Sequence, residues 1–159
     1  MVRIGYGRCV GRVIEKQDKF LVLAGVQVPW RVGLLPSGAC QHDVLSLAAA
    51  QALVGAMGLG SLETCGADLD PRAVEGLEVL RRTAALLAKN GWHLANFDIQ
   101  LVIQDIQLAS VVPQLQAKLC SALGCPAASV NLKIDNERCL GYTGAGQGIN
   151  ATAVCLIEN

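Results

Sequence analysis

The order of apolar and polar positions switches between two periods along the chain. Met1 to Val13 is rich in strand formers but interrupted by Gly5, Gly7 and Gly11. Phe20 to Ala24 reads as a short apolar strand and Gly25 as a turn. Val26 and Val28 then alternate with Gln27 until Pro29 closes the segment. Gly33 to Gln41, with Pro36, Ser37 and Gly38, reads as a loop. Asp43 stands where a helix N-cap belongs, ahead of an apolar run that reaches Met57 and stops at Gly58. A helix this apolar all round is expected to be buried on several sides. Ser61 to Pro71 is a second loop. From about Arg72, the residues Val74, Leu77, Leu80, Ala84 and Leu87 recur at helical spacing, and Asn90-Gly91 ends the stretch.

His93 to Gln104 reads as a long strand, and Asp105 to Ser110 as a connection. A third helix follows from about Val111 to Leu123, with Pro113 in its first turn and Gly124 at its end. Val130 to Asp135 is a strand, Asp135 to Gly148 a glycine-rich loop, and Ile149 to Ile157 a final strand. Four main strands and three helices predict an α+β or α/β sandwich, with helices laid on one sheet and a single domain over residues 1–159.

Composition narrows the class. Of 159 residues, 52% are hydrophobic and 16% charged, against about 25% charged in an average globular chain. That supplies a sizeable core and little polar surface, which fits buried subunit interfaces. Lys plus Arg total 13 and so do Asp plus Glu, so neither nucleic acid nor a membrane is an expected partner. The most apolar window, Val44 to Met57, falls short of the roughly 18–20 residues that a membrane span needs. The N-terminus reaches Arg3 without the apolar stretch of a signal peptide, so a cytoplasmic location is expected. Seven cysteines (Cys9, Cys40, Cys65, Cys120, Cys125, Cys139, Cys155) carry no Cys-x-x-Cys spacing, which argues against a disulfide framework.

Isolated motifs add little. The run Gly144 to Gly148 precedes a strand rather than a helix, so it reads as turn glycines and not as a dinucleotide fingerprint. Arg81 and Arg82 share a predicted helix with Glu78 and read as a solvated face. Trp30 and Trp92 read as packing anchors. His42 beside Asp43 reads either as a loop histidine or as a general base.

Taken in order, the fragments resemble one family. Arg3-Ile4-Gly5-Tyr6-Gly7 resembles the opening of 2-C-methyl-D-erythritol 2,4-cyclodiphosphate synthases. So do Gly25 to Pro29, Gly33-Leu34-Leu35, Asp43-Val44 with Ala52 to Ala56, and Asp68-Leu69-Asp70-Pro71. Pro113-Gln114, Leu123-Gly124-Cys125, Val130 to Lys133 and Leu140 to Gly144 follow in family order across the whole chain. The resemblance implies an α+β fold: a four-stranded sheet with helices on one face, in a homotrimer with a three-fold axis. It also implies active sites between subunits, in the isoprenoid precursor pathway. There a divalent metal (zinc, or magnesium or manganese) and a cytidine diphosphate group are held. The implied reaction, a phosphorus–oxygen lyase step, joins a phosphate oxygen to a diphosphate and releases CMP.

The residues that the family uses are mostly absent. Its Asp-x-His and the His one helical turn after Asp-Val correspond to Cys9, Gly11 and Leu47, and neither glycine nor leucine ligates a metal. Hence no metal cofactor is expected for the family reaction. Its His-Ser-Asp gives way to Ala39-Cys40-Gln41-His42, in a loop two residues longer. Its phosphate-binding threonine run corresponds to Asp135, Asn136, Glu137, Arg138 and Cys139. A carboxylate about 4 Å from a phosphate charge costs about 4 kcal/mol at an effective dielectric of 20. At the implied trimer axis, near Tyr142, an Arg and a Glu become Ala145 and Gln147. Asp68 and Asp70 persist from the substrate-bounding segment, or simply solvate a helix start. Two expectations follow. The first is a trimeric scaffold without the metal-dependent cyclisation, with an intersubunit cleft open to a small molecule or phosphate. The second is an enzyme with a rearranged site drawn from Cys9, Cys40, His42 and Asp43.

Overall fold

Gly5 and Gly7 allow a helix to lie directly on a strand. A Cβ at Gly5 would stand 1.9 Å from the Ala52 carbonyl oxygen, and one at Gly7 would stand 2.0 Å from that of Ala48. The glycines therefore do not break the first strand, as their spacing suggested. β1 runs unbroken over Val2–Ile14, and its glycines are the groove in which α1 (Val44–Met57) sits. The computed structural model describes residues 1–15, 19–30, 33–34, 42–104 and 107–159.

The remaining elements are β2 (Phe20–Leu23), β3 (Val26–Pro29), β4 (Gly33–Leu34), α2 (Gly76–Lys89), β5 (His93–Val102), α3 (Val112–Leu123), β6 (Val130–Asp135), the single turn α4 (Gly141–Gly144) and β7 (Gly148–Glu158). The main sheet has the order β4-β1-β7-β5-β6. Its four long strands match the expected four, and the two-residue β4 extends one edge. β1 and β5 both pair antiparallel with β7, whereas β5 and β6 are parallel and joined through α3. β2 and β3 form a separate hairpin.

Two sequence expectations are corrected. The second helix starts at Gly76 rather than near Arg72, because Asp70 folds the chain into a turn by accepting the amides of Ala73 and Val74 at its carbonyl. The loop from Asp135 to Gly148 contains the helical turn α4, whose four residues are too few to leave a periodic signal.

α1 packs on β1 and β7, and α2 packs over α1 and against α3. α1 is thus enclosed by the sheet on one side and by α2 and the hairpin on the others. Twelve of its fourteen residues are buried, which explains why it lacks a polar face. Its alanines let the neighbouring elements pack closely against it. Each helix ends as its glycine predicts, with Gly58 and Gly124 in the left-handed region at φ 75° and 65°.

Among the described residues, none covers the opposite sheet face. Ile4, Tyr6, Val10 and Val154 stand exposed on its β1–β7 half. On the β5–β6 half, Asp98 takes the Lys133 ammonium at 2.6 Å and the Asn131 amide at 2.8 Å. No helix among the described residues is long and apolar enough to cross a membrane.

Candidate functional site

Alternation along β1 turns Cys9 toward the helices, and the chain entering α1 brings His42 beside it. The Cys9 Sγ lies 3.3 Å from His42 Nε2. That nitrogen also lies 3.1 Å from the Val10 carbonyl oxygen. A carbonyl only accepts, so Nε2 carries the proton and donates it. The ring nitrogen facing the thiol is therefore not a base for it. Burial pushes the Cys9 thiol up to about 12, reinforced by the negative charges of Asp43 and Glu63. Burial also pushes His42 below its ordinary value, against the Val10 hydrogen bond and the Asp43 charge. The two residues form a neutral thiol–imidazole contact, not an activated thiolate.

Asp43 is committed to structure. Its side chain caps α1, Oδ1 accepting the Ser46 amide at 3.1 Å and Oδ2 the Ser46 hydroxyl at 2.8 Å. The same oxygens accept the amides of Ala24 at 3.0 Å and Gly25 at 2.8 Å. The carboxylate is fully buried, and desolvation raises its pKa against the pull of these four hydrogen bonds. Gly76, the first residue of α2, closes over it, and a Cβ there would meet the Asp43 Cβ at 2.8 Å. No lone pair is left facing a cleft.

The other positions corresponding to the family's metal ligands do not fit a metal. Gly11 is a buried strand residue opposite Ile149, and Leu47 is a core residue of α1. Cys40 lies outside the described residues. Among the described residues, no group of three His, Cys, Asp or Glu side chains is placed to hold a metal ion. The structure joins Cys9 and His42, sets Asp43 next to them, and gives Asp43 a different task.

Asp70 holds Arg72 through both carboxylate oxygens, at 2.7 to 3.1 Å. The Arg72 guanidinium lowers the Asp70 carboxyl to about 2. Asp68 is exposed, and its carbonyl oxygen accepts from Arg82 at 3.2 Å. Arg81 and Arg82 both pair with Glu78, as their spacing predicted.

Asp135, Asn136, Glu137 and Arg138 line one open hollow of about 400 Å³ with Leu140 and Gly141. Its loop bonds internally. Asp135 accepts the Asn136 amide, Asn136 accepts the Arg138 amide, and Glu137 accepts the hydroxyl of buried Thr143. Arg138 and Cys139 take left-handed φ values of 51° and 65°, so the loop is held in a shape that non-glycine residues seldom adopt.

Tyr142 and Gln147 border a second hollow of about 610 Å³ with Val10 to Val13, Gly146 and Gly148. The Tyr142 hydroxyl accepts from Arg8 at 3.1 Å, while Ala145 is exposed beside it. Sequence reasoning missed the partners that fix these groups: the Val10 carbonyl, the Ala24–Gly25 amides, Ser46 and Thr143. Only Ser46 had a readable signal, three residues after a predicted cap.

Fold and site together define an α+β protein whose helices cover one sheet face and whose thiol–imidazole pair sits at the β1–α1 junction. The chain belongs to the YgbB family, whose model matches residues 2–158. It is 33% identical over 158 residues to 2-C-methyl-D-erythritol 2,4-cyclodiphosphate synthase of Clostridium perfringens, covering 98% of this chain and 99% of that protein. The synthase of Trichlorobacter lovleyi is 34% identical over 158 residues, with 98% of each covered. Among solved structures, a CDP-bound form of 2C-methyl-D-erythritol-2,4-cyclodiphosphate synthase superimposes with a TM-score of 0.85 at 27% identity, over 98% of this chain and 100% of that one. The synthase of Plasmodium vivax shares the fold with a TM-score of 0.84 at 24% identity, over 100% of this chain and 99% of that one.

Proposed function

We propose that the chain is a 2-C-methyl-D-erythritol 2,4-cyclodiphosphate synthase homologue that keeps the family scaffold and has lost the metal-dependent, CMP-releasing cyclisation. The observation that carries this reading is the direct Cys9–His42 contact, flanked by Gly11 and Leu47 where the family pattern calls for ligands. A thiol above its usual range and a proton-bearing imidazole nitrogen do not replace a carboxylate and two histidines. The acidic loop at Asp135 and Glu137 adds to this, since carboxylates repel the phosphate oxygens that hydroxyls would receive.

The same reading takes the chain as a single domain that assembles as a homotrimer. Support comes from the uncovered sheet face, where Ile4 and Tyr6 are 70% and 60% exposed. Apolar side chains on an open strand face call for a covering surface. A cleft between subunits would remain available to a small molecule. A second reading, a lyase with a rearranged site, draws on the same Cys9–His42 pair. Its weakness is that neither neighbour serves the thiol as a base, because Asp43 is fully engaged and the His42 nitrogen facing Cys9 donates to Val10. Metal analysis of the purified chain separates the two. The first reading expects well below one zinc, magnesium or manganese ion per chain, and stoichiometric metal displaced by chelation would overturn it.

A further inference from the structure

Cys120 lies in the last turn of α3, and Cys125 directly follows the left-handed Gly124 that ends the helix. The Cys125 amide donates to the Cys120 carbonyl at 3.1 Å. This bond, from residue i+5 to residue i, folds the chain back so that the two backbones are neighbours. In a helix end closed by this bond, the residues at these two positions are the pair whose side chains commonly meet. Both are free thiols, Cys120 buried and Cys125 partly open. Cys125 also lines a hollow of about 240 Å³ with Leu87, Trp92, Leu94 and Pro126. One thiol is thus reachable from outside, and its only thiol neighbour along this turn is covered.

We infer that Cys120 and Cys125 are a dithiol–disulfide couple, a modification site at the end of α3 that exchanges with small disulfides. Cys125 gives its proton to solvent, and its sulfur attacks one sulfur of the small disulfide, expelling one thiolate. Cys120 then loses its proton and attacks the Cys125 sulfur, expelling the second thiolate. Two protein thiols are oxidised and one small disulfide is reduced to two thiols. Bridges require close Cα atoms and facing Cβ vectors, and the bond from the Cys125 amide to the Cys120 carbonyl sets the two residues side by side. The same turn is braced by Gln116, whose side-chain amide donates to the Ala127 and Val130 carbonyls. Burial and the neighbouring Cys120 thiol push Cys125 up to about 11, so the reachable sulfur rests protonated in the reduced form. This site is independent of the Cys9–His42 region and of the proposed loss of cyclisation.

The full-length chain, equilibrated in glutathione buffers of graded oxidation, alkylated and cut with trypsin, tests it. Residues 119–133 leave as one peptide holding only these two cysteines. The expected result is loss of two hydrogens from that peptide, reversed in reduced glutathione. Cys120→Ser should instead trap a glutathione adduct on Cys125, and Cys125→Ser should leave Cys120 alkylatable throughout. Full alkylation of both cysteines in the most oxidising buffer would overturn the inference. So would a bridge from Cys125 to any cysteine outside the peptide.

Discussion

Ala24 takes a left-handed φ of 48° and donates its amide to the Asp43 carboxylate at 3.0 Å. With Gly25 at φ 71°, it forms the two-residue turn of the β2–β3 hairpin. Such a turn places both central residues at positive φ, where a non-glycine residue is strained. The carboxylate offsets that strain by binding both turn amides while capping α1. One aspartate therefore locks the hairpin, the helix start and, through Gly76, the start of α2.

Asp43→Ala should destabilise the fold by about 3 kcal/mol, since a cap is lost and buried donors go unpaired. Urea denaturation read by circular dichroism measures it. A change under about 0.5 kcal/mol would show that water replaces the carboxylate without loss.

Gly5→Ala and Gly7→Ala should each cost about 3 kcal/mol or more, or prevent folding, because the new methyl group meets helix backbone rather than a movable side chain. Gly55→Ala serves as the comparison, since the nearest atom to a Cβ there is the Tyr6 carbonyl oxygen at 3.7 Å. Soluble expression and thermal melting of the three variants would order them.

Asp70 should titrate near its lowered value of about 2 in a carbon-13 NMR titration. Its folded pKa lies below the ordinary 3.8, so its stabilising contribution is present above that pH and fades as pH falls toward about 2. Arg72→Ala should return the carboxyl toward 3.8. An unchanged titration would mean that the guanidinium pair is not formed in solution.

Tyr6→Glu on the open sheet face should convert the proposed trimer to a 16.7 kDa species in sedimentation experiments, with the protomer still folded. A parent chain that already sediments as a monomer would remove the case for a covering subunit.

Much of the architecture was legible because it depends on local signals. The cap at Asp43, the stops at Gly58 and Gly124 and the strand Val130–Asp135 all lie where capping and alternation placed them. The errors came from contacts across the fold. Gly5 and Gly7 read as breaks because nothing local reveals the backbone of α1 above them. The start of α2 was misplaced by the Asp70 turn, and α4 was too short to leave a period. At the site, Cys9 and His42 were named as neighbours through family order alone. The Val10 carbonyl that fixes the imidazole proton left no trace in the sequence.

Restoring the family's ligand pattern through Cys9→Asp, Gly11→His and Leu47→His should raise zinc content toward one ion per chain. The scaffold already places these positions on β1 and the first turn of α1. Unchanged metal content in a folded triple variant would point to other missing groups, and would weaken the view that the ligands alone were lost.

The decisive measurement is CMP release from the family's cytidine-diphosphate substrate by the purified chain, with zinc and magnesium supplied and the Clostridium perfringens synthase run alongside. Loss of the cyclisation leaves CMP at the level of the no-enzyme control. Turnover that rises with protein concentration and stops on chelation would contradict it.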